Sequence, residues 1–290
     1  MLKDPTILLI GRHGQVSWEL QRTLAPLGKV VALDFPEVDL TDSDGLRKLV
    51  REVKPQVLVN AAAYTAVDKA EDELEKCRAI NATGPGVLAE EAAKLGALMV
   101  HYSTDYVYNG GGEAPWTEES PTGPLNVYGQ TKLEGDVAIA QALPGNHLIF
   151  RVSWVYGARG GNFLLTMLRL ARERESLSII DDQIGAPTWS RQIAEATALA
   201  IARRQDQSGV YHLPQAGFTS WHGFAKSIFE LDPKKSEQVL KELKAIGTDA
   251  YPTKAARPRN SRMSGEKLAS DFGIRLPHWE DSLRQVIETL

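Results

Sequence analysis

A tyrosine and a lysine stand four residues apart in the segment Tyr128-Gly129-Gln130-Thr131-Lys132. In a helix this spacing places both side chains on one face. Reduction of a ketone consumes a proton as the hydride arrives, and a free tyrosine, with a pKa near 10, is a reluctant partner at neutral pH. A neighbouring ammonium favours the phenolate and is expected to lower the pKa of the phenol by roughly two to three units. The pair predicts that Tyr128 donates a proton with the help of Lys132.

The same spacing also occurs by chance in exposed helical pairs. Here the segment Ser103-Thr104-Asp105 directly follows an apolar run at Met99–Tyr102, which favours a functional pair. In an open parallel sheet, groups at the carboxyl ends of the strands face the ligand crevice. The hydroxyl of Thr104 is therefore expected to hydrogen-bond a substrate oxygen beside Tyr128.

Glycines punctuate the segment Gly11-Arg12-His13-Gly14-Gln15-Val16-Ser17, which follows the first apolar run and opens an amphipathic one. An ordinary strand-to-helix turn has a similar sequence. Glycines here also permit close approach of the backbone to a pyrophosphate, which the N-terminus of the helix attracts. Ser17 stands where a third small residue is needed for helix–strand packing. The segment predicts a dinucleotide site, in which Lys132 can also hydrogen-bond a nicotinamide ribose.

Two charged residues bear on which dinucleotide binds. Asp34 ends the second apolar run, 23 residues after Gly11, where a carboxylate can hold the ribose hydroxyls of NADH. Arg12 instead favours NADPH, because a guanidinium can bind the 2′-phosphate of that coenzyme. The residues leave NADPH and NADH both open.

Short apolar runs alternate with amphipathic ones in the first half of the chain, which is typical of a parallel sheet with crossover helices. The predicted strands are Ile7–Ile10, Lys29–Leu33, Val57–Asn60, Met99–Tyr102 and Leu148–Val152, and the predicted helices are Val16–Leu27, Ser43–Val53, Leu74–Leu95 and Asn126–Ala142. Further helices are predicted at 163–173, 192–203 and 279–290. We expect an α/β fold, a doubly wound parallel (Rossmann) sheet with a smaller C-terminal substrate-binding lobe. The dinucleotide-binding domain is expected to span residues 1–153 and part of 177–210, and the lobe to interleave with it as 154–176 and 211–290.

The composition excludes several classes of function. Lys and Arg total 33 against 37 Asp and Glu in 290 residues, and the net charge of −4 has the wrong sign for binding nucleic acid through its phosphates. No apolar run reaches the ~18 residues that span a bilayer, and Ile7–Ile10 is too short for a signal-peptide core. The one cysteine, Cys77, has no second Cys or His at metal-ligand spacing and is interpreted as inert. We expect a cytoplasmic protein with neither membrane nor nucleic acid as a partner.

Longer matches to a known family cover nearly the whole chain. They lie at 11–18, 59–68, 80–83, 101–108, 124–129, 151–156, 182–188 and 257–261. The segments Ser103-Thr104-Asp105-Tyr106-Val107 and Gly185-Ala186-Pro187-Thr188 are the most specific of them. In these stretches the chain resembles the extended short-chain dehydrogenases, and within that family the nucleotide-sugar reductases. The resemblance implies that NADPH or NADH reduces the 4-keto group of dTDP-4-dehydro-6-deoxy-L-mannose.

The resemblance also implies a role for each matching position. Tyr128 would be the acid, Lys132 its partner and Thr104 the residue that tunes proton transfer. Beside Gly11, Arg12 and Asp34, the coenzyme would be lined by Gly14, Gln15, Val16, Asp39, Leu40, Ala63, Tyr64, Thr65, Tyr128 and Lys132. The nucleotide sugar would be contacted by Thr104, Asp105, Tyr106, Trp154 and, near the diphosphate, Arg257.

Three of the singled-out residues keep an alternative interpretation. Trp154 is either an aromatic shelf for the substrate or a core residue that closes a strand. Asn81 either kinks a helix and supports a proton relay to Lys132 or merely caps the helix. Arg259 either joins Arg257 in a diphosphate clamp or lies on the surface.

Two other functions compete with reduction. Related dehydratases carry Thr-Asp-Glu where this chain has Asp105 followed by Tyr106, and elimination of water needs that second carboxylate. The missing glutamate favours reduction. A non-catalytic NADP-binding regulator, similar to the regulatory subunit of methionine adenosyltransferase, would not need Thr104, Tyr128 and Lys132. A reductase of another 4-keto nucleotide sugar stays open.

Some reductases of the resembled family dimerise through Mg²⁺ held by glutamates. Glu19 matches one ligand position, Arg191 stands at a second, and only Glu288 is near the third. A cation in place of a ligand adds repulsion where charge should be neutralised. We expect no metal site, and a monomer or a weak metal-independent dimer.

Overall fold

Strands and helices alternate along the chain in the computed structural model, which describes residues 4–290. The first part contains β1 (Thr6–Ile10), α1 (Gln15–Leu24), β2 (Lys29–Leu33), α2 (Ser43–Val53), β3 (Val57–Asn60), α3 (Val67–Ala70), α4 (Leu74–Arg78), α5 (Gly84–Leu95), β4 (Leu98–Thr104), α6 (Val127–Ala142) and β5 (His147–Val152). The second part contains β6 (Val155–Tyr156), α7 (Phe163–Glu173), β7 (Ser176–Ile180), β8 (Ile184–Gly185), β9 (Thr188–Trp189), α8 (Ser190–Arg203), β10 (Gly209–His212), β11 (Thr219–Ser220), α9 (Trp221–Leu231), β12 (Glu242–Ile246), β13 (Asn260–Ser261), α10 (Glu266–Phe272) and α11 (Trp279–Ile287). The five predicted strands are confirmed, with bounds that differ by at most two residues.

Six parallel strands form the central sheet in the order β10-β5-β4-β3-β1-β2. β1 pairs with β2 on one side and β3 on the other, so that Ile7 lies opposite both Val30 and Val57. The strand order reverses at β1, and a doubly wound sheet binds its ligand outside the carboxyl ends of the strands at such a point. The predicted doubly wound parallel sheet is confirmed, and the ligand crevice is expected between β1 and β3.

Each face of the sheet is covered by its own hydrophobic core. Ile7 and Leu9 pack beneath α1 and α8, whereas Leu8 and Ile10 pack beneath α2, α5 and α6. Alternate residues of a strand point to opposite faces, so a strand that is covered on both sides must be apolar throughout. This requirement explains the unbroken apolar run of β1.

A third hydrophobic cluster lies in the C-terminal part of the chain. Side chains of α7, α9 and α11 meet there around Phe224 and Trp279. Outside this cluster, β10 extends the central sheet across the predicted boundary at residue 210, and Leu268 and Phe272 of α10 pack in the core beneath α1 and α8. Neither segment carries a periodicity long enough to show this from sequence. The predicted domain division stays a prediction.

Glu91 of α5 joins α5 to α2. Its buried carboxylate accepts hydrogen bonds from Arg51 Nε at 2.7 Å, Lys94 Nζ at 2.6 Å and Arg47 Nη1 at 3.3 Å. These donors lower the pKa of Glu91 to about 2, and the hydrogen bond from Arg51 has the largest effect. Because the folded pKa lies below the unfolded one, the resulting stability is present at neutral pH and is lost as the pH falls through about 4 towards 2.

We therefore expect Glu91→Gln to lower the free energy of unfolding by about 1–3 kcal/mol at neutral pH. The difference from the wild type should shrink as the pH falls towards about 3, because the wild-type carboxylate then loses its own charge. Urea unfolding across this pH range measures the effect. A difference that does not change with pH would contradict the role of the charge.

No helix within residues 4–290 has both the length and the apolar character that crossing a membrane requires.

Candidate active site

The glycine-rich segment lies where the carboxyl ends of β1, β2 and β3 meet. Gly11 has a φ of +99°, and a Cβ added to it would lie 2.8 Å from the backbone nitrogen of Ala62. Only glycine fits this close approach. Gly14 donates its N–H to Gly11 O at 2.9 Å and precedes α1, and no side chain among residues 4–290 caps this helix. The free N–H groups of the first turn suit a pyrophosphate.

Asp34 and Arg12 lie side by side at the end of β2. Asp34 accepts hydrogen bonds from the backbone N–H groups of His13 at 2.8 Å and Phe35 at 2.9 Å. The guanidinium of Arg12 binds Glu37, with Nη2 2.9 Å from Oε2 and Nη1 3.3 Å from Oε1. Sequence reasoning missed Glu37, because a surface acid in a turn has no recognisable pattern.

Asn81 interrupts the predicted helix Leu74–Leu95. Residues Ala79–Thr83 form a π-helical turn between α4 and α5, a feature frequent at functional sites. The buried Asn81 amide accepts from Tyr64 N at 2.8 Å and donates to Tyr64 O at 3.1 Å. Asn81 is therefore no helix cap but the anchor of the segment 63–65, which includes the predicted coenzyme residues Ala63 and Thr65.

The other predicted coenzyme residues differ in where their side chains point. The carboxylate of Asp39 accepts two hydrogen bonds from its own turn, and the side chain of Leu40 is buried in the core beneath α2. Gln15 Oε1 accepts from Asn162 Nδ2 at 3.1 Å, and Val16 packs against the core beneath α1. The side chains of Asp39 and Leu40 are thus engaged within the protein.

Tyr128 lies in the first turn of α6, which Asn126 caps by accepting the N–H of Gly129 at 2.8 Å. The half-buried ring of Tyr128 meets the ring of Tyr106 edge-on, with centroids 5.6 Å apart. The phenol lies near the hydroxyl of Thr104 at the end of β4, close enough for that hydroxyl to act on its pKa. The predicted neighbours Tyr128 and Thr104 are therefore together.

The expected lowering of the Tyr128 pKa is wrong. Burial raises the pKa of Tyr128 above its ordinary value, and the nearby Thr104 hydroxyl offsets only part of this rise. The ammonium of Lys132 is engaged elsewhere, because Nζ donates to Tyr102 O at 2.6 Å and lies 2.9 Å from His101 Nε2. Tyr128 consequently holds its proton firmly, as a proton donor does before the reaction.

Lys132 belongs to a buried polar network that sequence reasoning missed. Burial lowers the pKa of Lys132 to about 8 and holds the pKa of His101 well below its ordinary value. His101 Nδ1 lies 3.2 Å from Asn60 Nδ2, and these two residues are register partners on β4 and β3. Strand register decides this contact, and the sequence does not reveal it.

Asp105 lies near Tyr128 and Thr104 with one carboxylate oxygen unpaired within the described residues. Oδ1 accepts from Thr104 Oγ1 at 3.1 Å, whereas the buried Oδ2 has no hydrogen-bond partner within the described residues. The hydroxyl of Ser261 lies beside the carboxylate without completing this bond. Burial raises the pKa of Asp105 to about 6. A ligand hydroxyl would satisfy Oδ2, because a buried unpaired acceptor is costly.

Trp154 lies in an aromatic stack rather than in any of the core clusters. Its ring is half-buried and stacks on Trp221 at 3.7 Å, with 12° between the planes. A Cβ added to Gly185 would lie 2.8 Å from the Trp154 ring, so this glycine makes room for it. The backbone of Trp154 has a φ of +48°, a conformation that non-glycine residues rarely adopt and that often marks functional sites. Trp221 lies far along the chain and was not predicted.

The two arginines of the C-terminal segment have different partners. Arg257 binds Asp68 bidentately, with Nη2 2.7 Å from Oδ2 and Nη1 3.1 Å from Oδ1, and these hydrogen bonds lower the pKa of Asp68 to about 2. Arg259 binds Asp249 at 3.3 Å and reaches Asp182 at 3.7 Å. Arg257 is thus fixed in place, whereas the exposed Arg259 is engaged with surface acids.

Cys77 is buried, with its Sγ 3.2 Å from Thr131 Oγ1. Burial raises the pKa of the Cys77 thiol. A thiol with a raised pKa forms little thiolate and is unreactive, which supports the inert interpretation.

Two of the three residues compared with metal ligands are paired with other side chains. Glu19 binds Arg22, and Arg191 binds Glu195 at 3.2 Å. Within residues 4–290, no three His, Cys, Asp or Glu side chains form a group that could hold a metal ion. The absence of a metal-bridged dimer stays a prediction.

Gly129 sets the distance between α6 and the turn that carries Tyr106. A Cβ on Gly129 would overlap the carbonyl oxygen of Tyr106, a backbone atom that cannot move alone. We expect Gly129→Ala to displace Tyr128 and lower kcat by about 100-fold, because small misplacements of reacting groups are this costly. Gly265→Ala is the matched control, since its Cβ would meet only ordinary contacts. Wild-type kcat in Gly129→Ala would contradict this role.

Comparisons with known proteins agree on one family. The family model described as RmlD substrate binding domain matches residues 5–290. A dTDP-4-dehydrorhamnose reductase of Escherichia coli (strain K12) is 47% identical over 292 residues, which cover 98% of this chain and 97% of that one.

Solved structures agree with the sequence matches. A dTDP-4-dehydrorhamnose reductase from Bacillus anthracis, in complex with NADP, has a TM-score of 0.92 at 31% identity and covers 99% of this chain and 100% of its own. An orthologue from Clostridium acetobutylicum has a TM-score of 0.90 at 34% identity, covering 98% and 99%. The chain belongs to the RmlD substrate binding domain family and, within it, to the dTDP-4-dehydrorhamnose reductases.

Proposed function

We propose that this chain transfers a hydride from NADPH or NADH to the 4-keto group of dTDP-4-dehydro-6-deoxy-L-mannose and so forms dTDP-L-rhamnose. The observation that carries the proposal is the proximity of the Thr104 hydroxyl to the phenol of Tyr128 at the carboxyl end of the sheet. The relatives described above are named dTDP-4-dehydrorhamnose reductases, and their name describes the reaction proposed here. The protein would then serve carbohydrate biosynthesis.

The coenzyme would lie across the crevice between β1 and β3. Gly11 admits close approach of a pyrophosphate, and the start of α1 offers free N–H groups to it. A similar protein from Bacillus anthracis was solved with NADP. When bound, the reduced nicotinamide supplies the hydride. Lys132, whose ammonium contacts Tyr102 O and His101 Nε2, would fix the nicotinamide ribose with its third N–H group.

Tyr128 supplies the proton. Burial keeps its pKa above the ordinary value, so the phenol is protonated throughout the neutral range. Thr104 lies beside the phenol, and its hydroxyl, which donates to Asp105 Oδ1 in this structure, would turn to the same carbonyl oxygen that accepts the proton. As that oxygen gains negative charge, the phenol and the Thr104 hydroxyl would stabilise it as hydrogen-bond donors.

The nucleotide sugar would be held by groups on the other side of the site. The unpaired Oδ2 of Asp105 can accept a sugar hydroxyl, and the stacked Trp154 offers an aromatic face. Arg257, which Asp68 holds bidentately, would reach the diphosphate only with the N–H groups that Asp68 leaves free. We assign this binding to the lobe of α7, α9 and α11 together with residues 257–261. Asn81 would support proton transfer to Lys132.

Steady-state kinetics with a panel of substrates tests the proposal. NADH and NADPH are offered with dTDP-4-dehydro-6-deoxy-L-mannose and with 4-keto sugars on other nucleotides, and loss of the reduced coenzyme is followed by absorbance. We expect turnover with the dTDP sugar and the highest kcat/KM for it. Coenzyme binding without turnover would indicate the regulator, and preference for another sugar nucleotide would reassign the substrate.

We also propose that the protein acts as a monomer or a weak metal-independent dimer. The replacement of a metal ligand position by Arg191, which is paired with Glu195, supports this proposal. Light scattering with and without EDTA should give the same mass. An oligomer that EDTA dissociates would overturn it.

A further inference from the structure

Glu37 holds the guanidinium of Arg12 at the rim of the proposed coenzyme crevice. Both of its carboxylate oxygens take part, at 2.9 Å and 3.3 Å from the two terminal nitrogens. The side chains of Arg12 and Glu37 keep 33% and 45% of their surface exposed, so a ligand can reach the pair. A guanidinium binds carboxylate and phosphate in the same forked geometry, so Glu37 occupies the positions that a phosphate would take.

The charges around this pair decide which ligand it tolerates. Asp34 lies at the same rim, and its carboxylate accepts hydrogen bonds from the backbone N–H groups of His13 and Phe35. Two carboxylates and one guanidinium leave one net negative charge where the adenosine ribose of a dinucleotide is expected. A ribose with free hydroxyls can donate hydrogen bonds to this surface. A 2′-phosphate is repelled by Glu37 and needs the guanidinium that Glu37 holds.

We propose that Glu37 sets the coenzyme preference of this chain, favouring NADH over NADPH by occupying Arg12. The inference rests on the proposed function in one respect, that the crevice binds a nicotinamide dinucleotide. Release of Arg12 gives the 2′-phosphate a bidentate partner. NADH has no such phosphate and gains nothing from the release.

Equilibrium binding of NADH and NADPH to the whole protein, followed by coenzyme fluorescence without any sugar substrate, tests the proposal. Glu37→Gln keeps the size of the side chain and removes its charge. We expect it to tighten NADPH binding by about three- to tenfold and to leave NADH binding within about twofold. In an Arg12→Ala background, Glu37→Gln should bring no such gain, because the two residues act through one contact.

A charge-matched control separates this effect from net charge. Glu52 lies on α2 with 65% of its side chain exposed and only a loose 3.9 Å contact to Lys48, and we expect Glu52→Gln to change neither dissociation constant. An unchanged ratio of the NADH and NADPH constants in Glu37→Gln would overturn the proposal. So would a gain that persists without Arg12, or an equal gain in Glu52→Gln. If the wild type binds neither coenzyme, the proposed function fails together with this inference.

Discussion

Tyr128→Phe is expected to lower kcat by about 10³-fold while the dissociation constants of both coenzymes stay within about twofold of the wild type. The substitution removes one hydroxyl and keeps the ring that packs edge-on against Tyr106. Without the phenol, the oxygen that receives negative charge has Thr104 but no proton donor. The loss should therefore fall on the chemical step and not on coenzyme binding.

Tyr211→Phe is the matched control. The hydroxyl of this buried tyrosine on β10 donates to Asp271 Oδ2 at 3.0 Å, far along the sheet from the proposed site. Like Tyr128→Phe, Tyr211→Phe removes only a phenolic hydroxyl, and it should leave kcat nearly unchanged. Rates are measured by coenzyme oxidation and binding by fluorescence. A Tyr128→Phe protein that keeps more than about a tenth of the wild-type kcat would contradict the assigned role.

Arg151→Met is expected to lower the free energy of unfolding by about 3–5 kcal/mol. Arg151 of β5 and Asp136 of α6 are both about 95% buried, and Nε and Nη2 of Arg151 each lie 3.2 Å from Asp136 Oδ2. A third nitrogen donates to the hydroxyl of Tyr108 at 2.8 Å. Removal of the guanidinium leaves the buried Asp136 carboxylate without its ion-pair partner, which is the costly part.

Urea unfolding of two further variants isolates this cause. In Arg151→Met with Asp136→Leu the unpaired charge is gone, so much of the lost stability should return. Arg169→Met removes an exposed arginine whose partner is Glu173, four residues along α7, and should cost less than about 0.5 kcal/mol. A double variant no more stable than Arg151→Met would show that lost packing, not the buried charge, sets the cost.

Most of the fold is predictable from the sequence because its elements are set locally. The strands of the central sheet are short apolar runs, as burial on both faces requires. The sequence names Asn81 as one candidate for a helix kink, but it does not show the π-helical form of the turn at Ala79–Thr83 or the hydrogen bonds between Asn81 and Tyr64. The place of α10 against the central sheet depends on packing partners that are distant in sequence.

The candidate site likewise contains residues that the sequence predicts and residues that it does not. Tyr128 and Thr104 lie in recognisable segments, and the structure brings them together. Glu37, His101 and Trp221 carry no local signal, because register or packing between remote segments creates their contacts. The direction of the Tyr128 pKa shift was predicted wrongly for a related reason. Helical spacing shows that a lysine is near, but it shows neither the burial of the phenol nor the acceptors that already engage the ammonium.

A single-turnover reaction tests the central claim most directly. The wild-type protein in excess is mixed with equimolar NADPH or NADH and dTDP-4-dehydro-6-deoxy-L-mannose, and the quenched products are analysed by mass spectrometry. We predict one reduced coenzyme consumed for each product, and a product heavier than the substrate by one hydride and one proton. Unconsumed coenzyme, or a product lighter by one water, would contradict the account.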